Sequence, residues 1–122
     1  IINEADDFTV CGDENWTAEA LGNIIKNCIE HTQKGGRLEI FTRRATIYDS
    51  IFIRDNGCGI AKEDLPHIFE RFYHGKNSSS DSVGVGLALS KLIFEKENAS
   101  IEVESEEEKG TQFEIRFYKA IV

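Results

Sequence analysis

Ser50-Ile-Phe-Ile-Arg54-Asp55-Asn-Gly57-Cys-Gly59-Ile60 joins a β-rich run to a short loop. Residues 50–54 read as a strand and residues 55–59 as a loop by composition. A carboxylate at a strand end, followed by two glycines, lets a backbone approach a flat ligand closely. An aspartate in that place can accept a hydrogen bond from an exocyclic amine such as that of adenine. The same residues also make a tight turn closed by an Asx cap, so this stretch alone leaves both open.

On the N-terminal side, residues 37–44 form a second β-rich run, and a turn near Tyr48-Asp49 makes the two runs a hairpin. Before them the pattern is helical from about Asn15. Leu21, Ile24, Ile25, Cys28 and Ile29 recur at i, i+3, i+4, i+7 and i+8. The helix is expected to stop near Thr32, where Lys34-Gly35-Gly36 follows. Within it, Asn23 and Asn27 are four apart and lie one above the other. Two carboxamide oxygens there suit Mg²⁺ with most of its waters retained; they equally suit two structural amides. Residues 8–11 are a short strand candidate, and residues 1–7 read as an acidic, patternless remnant of an upstream segment.

On the C-terminal side, residues 63–72 read as a short helix. Leu65, Ile68, Phe69 and Phe72 lie on one side and Pro66 in the first turn. Residues 74–83 carry Gly75, Asn77, Ser78, Ser79, Ser80 and Ser82, a composition that marks a mobile stretch. Gly84-Val85-Gly86 opens a second long helix with Leu87, Leu89, Leu92, Ile93 and Phe94, running to about Asn98. Glycines at a helix start expose N–H groups beside the positive end of the dipole, which is a phosphate cradle; a plain loop-to-helix cap fits the same residues. It is neither a Walker A motif nor a dinucleotide fingerprint. Residues 100–105 and 111–118 are the last strands. Ile101/Val103 and Phe113/Ile115/Phe117 alternate with polar residues, and the turn spans residues 106–110.

At 122 residues the chain has room for one domain, here residues 8–122. Its 14 basic against 22 acidic residues, a net charge of −8, argue against a broad nucleic-acid-binding face. Cys11, Cys28 and Cys58 contain no CxxC pair, so a zinc site or disulfide framework is not expected, and a reducing cytoplasmic setting fits best. No apolar run reaches the roughly 20 residues that cross a bilayer.

Asn-x-x-x-Asn, Asp-Asn-Gly-x-Gly-Ile, Phe69-Glu-Arg-Phe72, Gly-x-Gly-Leu-Ala-Leu and Gly110-Thr-x-Phe113 occur once each, in that order. As a set they closely resemble the ATP-binding catalytic domain of bacterial sensor histidine kinases, within the GHKL ATPase superfamily, over about residues 8–118. The resemblance implies a two-layer α/β sandwich of the Bergerat/GHKL type, with a mixed, mostly antiparallel sheet of about five strands and about three helices. It implies ATP and Mg²⁺ as ligands. Residues 21–32 resemble the N box, where Asn27 matches the Mg²⁺-binding asparagine. Asp55, Gly57, Gly59 and Ile60 resemble the G1 box, with Asp55 in the place of the adenine-recognising aspartate. Phe69 and Tyr73 fall in the F box. Gly84, Val85, Gly86 and Leu87 resemble the G2 box, which holds phosphates. Thr111 stands where a threonine supports the adenine-side aspartate.

Hydrolytic relatives, such as the large heat-shock chaperones and type II topoisomerases, carry a glutamate four residues before the metal asparagine. Asn23 stands there in this chain, and a carboxamide is no general base at neutral pH. Asn23 and Asn27 are therefore assigned to phosphoryl transfer rather than to water activation. Ser82, His74 and Glu30 depart from the usual residues of the family and bear on phosphate contact. His31, His67 and His74 are followed by Thr32, Ile68 and Gly75, none resembling an acceptor box. The expected acceptor thus lies in an upstream dimerisation domain, with a response regulator as the next partner and any membrane anchor further upstream. An anti-sigma-type serine kinase or other GHKL ATPase, and a nucleotide-sensing module without transfer, remain as other readings.

Overall fold

The computed structural model describes residues 2–4, 14–72 and 86–119. The strand expected at residues 8–11 and the mobility expected of residues 74–83 fall outside them, as do Tyr73, Gly84 and Val85. The elements run β1 (Ile2–Glu4), α1 (Glu14–Glu30), β2 (Leu38–Arg44), β3 (Tyr48–Asp55), a single 3-10 turn (Leu65–His67), α2 (Gly86–Lys96), β4 (Ala99–Glu106) and β5 (Gly110–Tyr118). The five strands form one sheet in the order β1-β2-β3-β5-β4. β1 is parallel to β2, and every other pairing is antiparallel. The mixed, mostly antiparallel sheet is as expected.

Both helices pack on one face of the sheet. Ala20, Ile24 and Cys28 of α1, with Ser90, Ile93 and Phe94 of α2, are buried, as are Ile53, Phe113, Ile115 and Phe117 of the central strands. Period-two alternation along β5 sends Thr111, Phe113, Ile115 and Phe117 inward. On the other face Phe41 and Phe52 stack with centroids 4.7 Å apart, and the Arg54 and Arg43 guanidinium groups cover the two rings in turn. The sheet is thus two-layered without presenting a bare apolar back.

Four details differ from the sequence reading. Ile29 is 55% exposed. At about 100° per residue it lies about 140° from the centre of the Ala20–Ile24–Cys28 line, so that line, flanked by Leu21 and Ile25, forms the core stripe. The β2–β3 turn lies at residues 45–47, closed by Ala45 N–H to Tyr48 O at 2.9 Å, and Tyr48 and Asp49 already belong to β3. Residues 63–72 hold one 3-10 turn, at Leu65–His67, rather than a helix, so the described residues contain two α-helices. Leu65, Ile68 and Phe69 are partly covered, but Phe72 has φ +64° and is 61% exposed; a chain that turns left-handed there cannot continue a helical stripe. Lastly, the patternless opening contributes β1, whose three residues are too few to show a period.

Candidate functional site

Asp55 ends β3, the central strand, and is 4% exposed. Its Oδ1 accepts the Gly57 N–H at 2.9 Å. The Asx turn and the ligand-facing carboxylate weighed as alternatives are therefore compatible: one oxygen shapes the loop while the other keeps acceptor capacity. Gly57 sits against the C-terminal end of α1, and a Cβ there would collide with the His31 carbonyl. Cys58 N–H donates to that same carbonyl at 3.0 Å. Cys58 Sγ lies 3.7 Å from His31 Nδ1, and burial first, then the Asp55 and Glu108 carboxylates, push its thiol above the ordinary range. The Cys28 thiol, inward from α1, is raised far more, by burial and then by the adjoining Asp55 carboxylate. It is a neutral packing group beside a charged one.

The β4–β5 hairpin forms the loop's second support. Glu108 N–H donates to Cys58 O at 2.8 Å, and Ile60 N–H donates to Ser105 Oγ at 2.7 Å. Gly59 has φ +73°, and a Cβ on it would strike the Glu106 carbonyl; a Cβ on Gly110, at φ +128°, would strike the Asp55 carbonyl. Glycine is demanded twice, once on each side of one close approach. Thr111 faces Asp55 in the β3–β5 register, yet its hydroxyl lies 2.8 Å from Ser105 Oγ, and that is its hydrogen bond, rather than one to the Asp55 carboxylate. Ser105 was missed by motif reading. Its signal was the alternation itself: a polar residue follows Ile101 and Val103 at an inward position.

The two asparagines of α1 do different work. Asn23 Nδ2 donates to Gly86 O at 3.4 Å, tying α1 to the first turn of α2. The single Ser90 hydroxyl proton is shared between Ala20 O across the same seam, at 2.8 Å, and Gly86 O of its own helix, at 3.0 Å. Asn27 is half-buried, and its carboxamide makes no hydrogen bond to the described residues. Gly86 opens α2, and Leu87 packs on the core beside it. Phe69 is half-buried with the Lys91 ammonium 5.3 Å from its ring centroid, so the segment after the 3-10 turn leans on α2. Asp55, Gly57, Gly59 and Ile60 come together with Thr111; Asn23, Gly86 and Leu87 meet at the α1–α2 seam, with Asn27 one turn along α1.

The donor set suits a hard cation held by few protein ligands. Among the described residues no group of three or more His, Cys, Asp or Glu side chains could hold a metal ion. A carboxamide oxygen is the kind of single ligand Mg²⁺ accepts when phosphates and water fill its other positions.

Known proteins place these features in a family. Residues 12–121 match the model of the histidine kinase-, DNA gyrase B- and HSP90-like ATPases. The sensor histidine kinase YclK of Bacillus subtilis (strain 168) is 38% identical over 122 residues, covering 95% of this chain and 25% of that protein. The fold superposes on the mycobacterial sensor histidine kinase MprB with a TM-score of 0.89 at 24% identity, over 96% of this chain and 81% of that one. It superposes on the catalytic domain of histidine kinase ThkA with a TM-score of 0.81 at 25% identity, over 97% and 77%. The chain spans about a fifth to a quarter of the length of the curated relatives it matches. From a family match across nearly the whole sequence, and a sheet and helix layer shared with solved kinases, it follows that the chain belongs to the family of histidine kinase-, DNA gyrase B- and HSP90-like ATPases.

Proposed function

We propose that this chain is the ATP-binding catalytic domain of a two-component sensor histidine kinase. It transfers the γ-phosphoryl group of ATP to a histidine in a dimerisation domain of the same protein, for relay to a response regulator. The observation that carries the reading is the division of labour around β3 and α1. A buried carboxylate is pinned by Gly57 at one end, and at the other the half-buried carboxamide of Asn27 has no hydrogen-bond partner among the described residues. Asp55 accepts the adenine amine, and Gly57 and Gly59 keep the loop low enough for the base to lie against it. The N-terminus of α2 at Gly86, with Gly84 and Val85 before it, offers N–H groups to phosphate. Asn27 would hold Mg²⁺, which when bound neutralises phosphate charge. Phe69 and Tyr73 border the nucleotide. Asn23 braces α2 and supplies no base, so the site favours positioning over hydrolysis. The whole protein is membrane-anchored through other segments; among the described residues no helix is long and apolar enough to cross a membrane.

The test uses γ-labelled ATP and Mg²⁺. The chain alone should hydrolyse ATP slowly and take up negligible label. Adding the native helical-hairpin domain should yield acid-labile, base-stable label on a histidine of that hairpin. Rapid hydrolysis by the chain alone, or acid-stable label on serine, would replace the kinase reading with an ATPase or a serine kinase.

A further inference from the structure

We infer that Ser105 is the positioning residue of the adenine-side loop, holding Ile60 and Thr111 in the arrangement that presents Asp55; this rests on the nucleotide reading above. Three groups from two segments converge on one hydroxyl. Ile60 N–H donates to Ser105 Oγ at 2.7 Å, Ser105 Oγ donates to Gly110 O at 3.0 Å, and the Thr111 hydroxyl lies 2.8 Å away. A serine hydroxyl has one proton and two lone pairs. With its proton on the Gly110 carbonyl and one lone pair on Ile60, Ser105 can only accept from Thr111. The Thr111 proton is then committed to Ser105, which explains why it does not reach Asp55 although the two residues face each other in register. Ser105 and Thr111 are themselves paired across β4 and β5.

The arrangement matters because the loop has two independent supports. Cys58 N–H to His31 O fastens it to α1, and Ser105 with Glu108 fastens it to the hairpin. Gly110, the acceptor of the Ser105 proton, is also the residue whose missing Cβ lets the hairpin approach the Asp55 carbonyl. Removing one hydroxyl leaves an amide, a carbonyl and a threonine hydroxyl without their partner at once. All three border the base end of the site, and none belongs to the Asn27 end.

The experiment is Ser105→Ala in the 122-residue chain, with Ser105→Thr as the conservative variant. Ser105→Cys, which keeps the volume with a weak donor, is read instead if the alanine variant does not fold. Calorimetry measures adenosine, Mg²⁺-ATP and Mg²⁺-inosine triphosphate, which carries an oxygen where adenine has its amine. Ser105→Ala should lose about five- to ten-fold in adenosine affinity, the factor one or two hydrogen bonds are worth. Its preference for ATP over inosine triphosphate should narrow by a similar factor. Ser105→Thr should restore both, and hydrogen exchange at the Ile60 amide should quicken in the alanine variant alone. A parallel loss for all three ligands with the preference unmoved would make Ser105 a packing residue and overturn the inference. Unchanged binding in a variant whose Ile60 amide exchanges faster would overturn it as well. A parent chain that binds neither adenosine nor ATP removes the nucleotide reading and this inference together; a parent that binds, with a variant that binds equally well, removes Ser105 alone.

Discussion

Asp55 is held in place by the loop that follows it. Its Oδ1 is occupied by Gly57 N–H, and asparagine can keep that bond because its carboxamide oxygen also accepts. Asp55→Asn should therefore leave the far-UV circular dichroism unchanged while lowering ATP affinity by about ten- to a hundred-fold, the worth of a hydrogen bond to a charged acceptor. Calorimetry on the variant checks this; equal affinity would take Asp55 out of the base site. Cys28 makes a second prediction at the same scale. Its thiol titrates far above the free value of 9.0 because burial, and then the Asp55 charge, disfavour the thiolate. A raised folded pKa gives stability that is complete below the unfolded pKa and is lost as pH rises past it. Unfolding free energy should thus fall above pH 9 by up to about 1.4 kcal/mol per pH unit from this one group. In Cys28→Ala the slope in urea denaturation between pH 9 and 10 should be shallower by that amount. What sequence shows at this scale is residue type and order. Asp55, Asn27 and the glycines are legible because their chemistry is unusual in their positions. The commitment of Thr111 to Ser105 is not, because hydrogen-bond partners across a hairpin depend on register.

Among the elements, regular periods were readable and irregular ones were not. The helices and strands that alternate cleanly came out within a few residues of their observed bounds. Residues 63–72 did not, since Leu65, Ile68, Phe69 and Phe72 carry helical spacing without helical backbone. The two glycine classes in the chain make a test of the observed geometry. Gly110 has φ +128° and no room for a Cβ against the Asp55 carbonyl, whereas Gly22 is helical with nothing within 4 Å of the corresponding position. Gly110→Ala should destabilise the fold by about 2–4 kcal/mol, from backbone strain and overpacking together. Gly22→Ala should stabilise it by about 0.5–1 kcal/mol, by helix propensity. Opposite shifts in the urea midpoint are expected; two shifts of the same sign would mean the hairpin does not approach the loop as described.

For the whole molecule, the site is an assembly of three seams: α1 against the Asp55 loop, the β4–β5 hairpin against that loop, and α1 against α2. The Asn27 end and the Asp55 end belong to different elements, so they should fail separately. On the proposed role of Asn27 toward Mg²⁺, Asn27→Ala should weaken Mg²⁺-ATP binding by about ten-fold or more, while leaving adenosine affinity within about two-fold of the parent. Parallel calorimetric titrations decide it; equal losses would mean that α1 as a whole had been disturbed. The sandwich and its order of motifs were legible because each motif repeats a chemical requirement. The parallel strand β1 was hidden because its partner β2 lies more than thirty residues away and its own span is three residues.

The strand order has a colloidal consequence. β3 is interior, while β4 lies at one margin of the sheet, where a row of unpaired backbone groups could template a strand from another molecule. That margin alternates Ser100, Glu102, Glu104 and Glu106 with its inward residues. A second copy of β4 laid antiparallel along it would bring glutamates face to face with glutamates. Like charges set opposite one another disfavour such a pairing, so the open edge of the sheet carries its own deterrent to self-templating.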